Sequence, residues 1–154
     1  MEIVIEPFKP EHIGLIEEFY NDAKALEELL RQRPEYPQLL YHAGPAFSGF
    51  DWHGTYLGSF GMGKYWDGVG KLWLILDKKV SKHPKAFHRL FRDRMDLWYS
   101  MYNLVRLFTD VSAHDPRAIR WIESFGFERE GLQKSYGPNH EDYFLYARVI
   151  PWQA

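Results

Sequence analysis

Two apolar runs, "KLWLILDKKV" (71–80) and "LVRLFTDV" (104–111), flank one long amphipathic segment, "SKHPKAFHRLFRDRMDLWYSMY". No other feature constrains the fold as much. Phe87, Leu90, Phe91, Met95 and Trp98 fall on one helical face, with the basic residues mostly on the other. Strand, covering helix and strand in that order form a crossover, which makes the two strands parallel. Upstream, "AFSGFDW", a His53-Gly54 turn, "TYLGSFGMGKYW" and an Asp67-Gly68 turn predict antiparallel strands. Gly58, Gly61 and Gly63 weaken a central strand there or mark bulges. Downstream, "HDPRAIRWIESFGF" predicts a helix over 115–125. Asp115 suits the N-cap, Pro116 the first helical position, and Gly126 the left-handed stop. "FEREGLQKSY" and "EDYFLYARV" then pair across a Gly137-Pro138-Asn139 turn.

Ahead of these come an opening strand "EIVIEPF", a helix starting at Pro10 with Ile13, Ile16, Phe19 and Tyr20 at helical spacing, and a second helix in "NDAKALEELLRQR". "RPEYPQ" reads as a turn-rich connection. The order β-α-α-β-β-β-α-β-α-β-β predicts an α/β chain of the α+β type. Its sheet is mixed and mostly antiparallel, with six to seven strands flanked by about four helices. Its 154 residues suffice for a single domain with its own core.

Composition narrows the chemistry. The absence of cysteine excludes disulfides, thiolate nucleophiles and cysteine metal sites, and fits a reducing cytoplasm. The seven histidines show no HExxH or comparable spacing, so no metal is expected. No apolar run is long enough to span a bilayer, and "MEIVIEPFKP" has no basic leader. The net charge is −2, yet Lys78, Lys79, Lys82, Lys85, Arg89, Arg92 and Arg94 face only Asp77 and Asp93, a local +5. That run is either a local anion site or a solvated helix face. Trp66, Trp73, Trp98 and Trp121 are expected to fill the core, since their spacing matches no base-stacking motif.

Asp115-Pro116-Arg117-Ala118, Gly126-Phe127, Gly131 and "DYFLYARV", set in this element order, resemble the GCN5-related N-acetyltransferase family, whose usual pattern is Asn-x-x-Ala, an apolar helix and Gly-Phe. The resemblance covers residues 70 to 149, and the first 70 by element order. Within the family, "KLWLIL", the basic helix and "AIRWIESFGF" are most similar to small proteins of tailed bacteriophages, including an internal virion protein of T7-like phages. The resemblance implies two central parallel strands that splay apart and an acetyl-CoA cofactor whose pantetheine arm lies in the gap, paired with the backbone of Leu76, Asp77 and Val80. It places the pyrophosphate at the start of the long helix. The family's glycine-rich loop is replaced here by Lys82-His83-Pro84-Lys85-Ala86-Phe87, with Phe87 at the third glycine's position. Either Lys82, Lys85, His88 and Arg89 hold the phosphates by charge, with His83, Ala86, Asp115 and Ala118 beside them, or no nucleotide binds.

The family's usual tyrosine proton donor falls on Ile122, which leaves Tyr136 and His114 as substitutes. Asp110 is the candidate base, or else a turn or cap residue. Trp73 faces either the core or the acyl pocket. The implied function is acetyl-CoA-dependent N-acetyl transfer to an amine of a protein or small molecule, in the cytoplasm of a host if the chain is phage-encoded. The alternative is a non-catalytic virion or host-interaction protein with a degenerate cofactor loop, whose partners are other phage or host proteins. A third reading, modification of DNA bases, rests on the basic helix alone.

Overall fold

A computed structural model describes residues 3–150. Its strands are β1 (Val4–Pro7), β2 (Ala46–Phe50), β3 (Tyr56–Trp66), β4 (Val69–Leu76), β5 (Arg106–Ser112), β6 (Glu128–Gln133) and β7 (Tyr143–Val149). Its helices are α1 (Ala23–Gln32), α2 (Tyr36–Ala43), α3 (Pro84–Met101) and α4 (Pro116–Glu123), with short 3-10 turns at Pro10–Leu15 and Lys78–Lys82. All seven strands join one sheet in the order β1-β2-β3-β4-β5-β7-β6, and only the β4–β5 pair is parallel. The expected mixed sheet with a central parallel pair is therefore present. Glu2, the first residue of the expected opening strand, lies outside the described residues.

Strand alternation divides the core in two. Leu72, Leu76, Leu107 and Val111 point to one face and pack with Phe91, Met95 and Trp98 of α3 and Ile122 of α4. Trp73 and Ile75 point to the other, against Phe8, Ile13 and Leu40. Each large side chain so enclosed stabilises the fold by about 1.5–3 kcal/mol. Trp73 thus fills the core, its ring 5.2 Å from that of Phe8 in an edge-to-face contact. Gly61 makes room for it, since a Cβ there would lie 2.8 Å from the indole and 2.7 Å from Ala46 Cβ. Gly61→Ala is expected to lower the unfolding free energy by about 2 kcal/mol through overpacking. A urea titration checks this, and an unchanged midpoint would show that the indole moves aside freely.

Three local expectations need correction. The helix expected from Pro10 is only the 3-10 turn, after which residues 16–22 run without helical structure along the end of β4. Long-range pairing outcompetes the helix: Phe19 bridges Asp77, Lys78 N donates to Glu18 O (2.8 Å), and Glu17 N donates to the buried Asp77 carboxylate (2.9 Å). The connection "RPEYPQ" instead opens α2, whose first turn accepts Pro37 because no intrahelical N–H is needed there. Trp66 is 68% exposed at the tip of the β3–β4 hairpin, unlike the buried Trp98.

Candidate functional site

The parallel ladder is short. β4 and β5 pair from Val69↔Arg106 to Lys71↔Phe108 and no further. Thr109 Oγ1 then donates to Leu72 O (3.0 Å), so a side chain takes the next ladder position. Beyond it each strand follows its other neighbour: β4 stays with β3 as far as Leu76, and β5 stays with β7 as far as Ser112. The gap opens into a cleft of about 330 Å³, floored by Leu74, Leu76, Val80, Val111, Trp121 and Ile122. That is the low end of the range for ligand sites, suited to a slender apolar arm. Asp22, Asp115, His88 and Arg117 supply polar groups at its walls.

Residues 17–22 form one wall. Asn21 Nδ2 donates to Leu74 O (3.0 Å), Leu76 N donates to Asn21 Oδ1 (3.1 Å), and Tyr20 N donates to Leu76 O (2.8 Å). The edge of β4 that the parting of the strands would expose is thus paired with the chain itself. Arg117 of α4 covers the Tyr20 ring at 4.9 Å. Asp22, the next residue, sits in the left-handed region at φ 50° and lines the cleft. Burial, reinforced by Asp115 and Glu141, pushes its carboxyl up to about 6.

The start of α3 forms another wall. Phe87 N already donates to His83 O (2.9 Å), which leaves the N–H groups of Lys85 and Ala86 free of intrahelical partners. The Phe87 ring turns inward, stacked on Trp121 at 5.7 Å and edge-on to Phe60, so it does not cover the helix end. His88 stacks on Phe125 at 4.4 Å. The basic run is partly neutralised by the 17–22 segment, with Lys78 on Glu18 (3.2 Å) and Lys79 on Glu17 (2.9 Å). Among the described residues, Lys82, Lys85 and Arg89 have no carboxylate within 4 Å. They are the cations left for an anion at this helix end.

The residues expected for cofactor and chemistry separate accordingly. Leu76 offers its backbone to the cleft but is engaged by Asn21 and Tyr20. Asp77 N donates to Leu57 O (2.9 Å), and its carboxylate, 1% exposed, accepts from Glu17 N and Lys79 N, which makes it a buried joint. Val80 N donates to Asp77 O (3.0 Å), while its side chain floors the cleft. Asp115 caps α4 by accepting from Ala118 N (3.1 Å), and both residues line the cleft. His114 is exposed ahead of α4 and is not part of the lining. Ile122 is buried.

Asp110 also lines the cleft, and with Tyr136, which does not, it belongs to a cluster on the Trp73 side of the sheet. The Asp110 carboxylate accepts from Lys71 Nζ (2.8 Å), Gln133 Nε2 (2.8 Å) and Tyr136 Oη (2.9 Å). Burial opposes charge on Lys71, but its bond to Asp110 outweighs this and raises the ammonium. Lys71 is also the last residue of β4 paired with β5, so the cluster clamps the two strands where they part. Asn21, Asp22 and Lys71 carried no sequence signal. Asn21 and Asp22 read as the first residues of the second helix, which instead begins at Ala23, and Lys71 as the first residue of a strand.

No family model matches this sequence, and no curated protein matches it. Solved structures do match its fold. An acetyltransferase of the GNAT family from Bacillus anthracis shares 15% identity at a TM-score of 0.71, covering 97% of this chain and 95% of the other. A variant spermidine N-acetyltransferase from Vibrio cholerae shares 16% at 0.66, covering 95% and 94%. At these identities the likeness is one of fold, and it extends over the first 70 residues as well as the last.

Proposed function

We propose that a chain with this acetyltransferase fold is an N-acyltransferase that binds acetyl-CoA in the cleft and acylates a small cationic amine. The observation carrying this reading is the parting of β4 from β5 into an apolar cleft beside a free helix end. The residues fit such a cofactor: the cleft suits the slender arm, and Lys85 N, Ala86 N, Lys82, Lys85 and Arg89 suit its phosphates. When bound, acetyl-CoA supplies the thioester acyl group. Asp22 receives the proton that the acceptor ammonium must lose before its nitrogen forms the new C–N bond, because a carboxyl near pH 6 both accepts and releases a proton at neutrality. Asp115 and Glu141 beside it favour a cationic acceptor, in keeping with the spermidine specificity named for one structural relative. Ile122 has no proton for the departing thiolate, and neither Tyr136 nor His114 lines the cleft, so water supplies it.

Acetyl-CoA at millimolar concentration is expected to raise the Tm by several degrees. Addition of spermidine should then release free thiol, read with a thiol reagent. No thermal shift and no thiol would overturn this reading. The absence of a glycine loop and the self-paired edge of β4 favour a second reading, a non-catalytic protein of virion or host contact that keeps the fold. Phage origin is supported by the motif resemblance alone.

A further inference from the structure

We infer that Asn21 is an internal competitor for the edge of β4: its carboxamide stands where a ligand amide would pair, and the 17–22 segment must release Leu74 and Leu76 before a ligand is held along that strand. This rests on the proposed function and adds to it a residue that sets affinity without touching the reacting atoms. A carboxamide offers one donor and one acceptor on the same side, and Asn21 uses both, on Leu74 O at 3.0 Å and Leu76 N at 3.1 Å. Tyr20 N closes the third position on Leu76 O at 2.8 Å. These are the groups that a strand normally gives to its neighbour, and β5 has left them. Leu74 and Leu76 direct the same backbone edge to the cleft, so any extended amide entering there meets Asn21 first.

The segment is tied down at its base and turns at its far end. It is anchored at its base by Glu17 N on the Asp77 carboxylate and by Lys78 N on Glu18 O. At its far end the chain turns at Asp22, whose φ of 50° lies in the left-handed region that aspartate adopts more readily than most side chains. The hydrogen bonds of Asn21 on β4 hold Asp22 beside Asp115 and Glu141, whose like charges oppose that closure. Removing the carboxamide removes two of the three bonds on Leu74 and Leu76, leaves only Tyr20 N on Leu76 O against the opposing charge, and so raises the fraction of chains open to ligand. Apparent affinity rises with that fraction.

The test is calorimetric titration of coenzyme A into the wild-type chain and into Asn21→Ala and Asn21→Ser, neither of which can reach both β4 groups at once. Amide exchange at Leu76 is followed in parallel. Both variants are expected to bind about tenfold more tightly than the wild type, and Leu76 N–H is expected to exchange faster in the free variants and regain protection with ligand. Binding by the variants where the wild type shows none would support the competitor equally. Equal or weaker binding by both folded variants would mean that Asn21 merely fastens the wall, and would overturn the competitor while leaving the transferase reading intact. If no form binds coenzyme A, both fall. Should Asn21→Ala fail to give a cooperative unfolding transition, Asn21→Ser carries the comparison.

Discussion

Asp110→Ala is expected to lower the unfolding free energy by about 3 kcal/mol, measured by chemical denaturation. The carboxylate is 13% exposed and Lys71 31%, so losing it leaves a partly buried ammonium unpaired and takes the acceptor from Gln133 and Tyr136. An unpaired buried charge costs more than the pair contributes. The double variant Lys71→Met with Asp110→Leu should therefore recover most of the loss. It also separates two roles for Asp110. As the base suggested by its strand-end position, Asp110 would be required for turnover, and the double variant would be inactive. As a clamp whose two oxygens serve three donors, it is replaceable by apolar contact, and turnover within a few-fold of wild type is expected. A loss below 1 kcal/mol for Asp110→Ala would show that the clamp holds little.

Asp22→Asn should show the opposite trade. The folded chain protonates Asp22 near pH 6, whereas the unfolded chain does so near 3.8. Between these values the folded state binds the extra proton, so stability falls as pH rises from 3.8 to 6 and stays low above. Asparagine keeps the shape, tolerates the left-handed backbone and carries no charge. At pH 8 the variant is expected to be more stable by about 2 kcal/mol, allowing for partial solvent screening, and at pH 3.5 the two should coincide. Above pH 6 acyl transfer should drop about a hundredfold if Asp22 takes the acceptor's proton, and the gap should narrow below pH 6 as the wild-type carboxylate itself protonates. Equal melting temperatures at pH 8 would remove the proposed repulsion, and full activity would remove the base.

The central crossover, the capped α4 and the closing hairpin were legible because each is written locally: alternation in β5, helical spacing in α3, and Asp115-Pro116 ahead of an apolar face. The opening segment was not, because its helical spacing of Ile13, Ile16 and Phe19 is overridden by Asp77, a carboxylate 60 positions from Glu17. Asn21 was invisible for the same reason, with partners 53 and 55 positions away. Phe87 read as an obstacle at a phosphate loop because spacing gives a residue's place but not the turn of its ring, which packs inward on Trp121. The positive run read as one patch, yet Glu17 and Glu18 neutralise two of its lysines through that same unforeseen segment.

Only three registers join β4 to β5, whereas every other neighbouring pair of strands is laced along four or more. Mechanically the sheet is two plates, β1 to β4 and β5 to β7, laced by a seam six residues across and backed by α3, which packs on both. Thermal motion should concentrate as a scissoring of one plate against the other, and the first amides to lose protection on mild destabilisation should be those along the seam, while the interior of each plate persists.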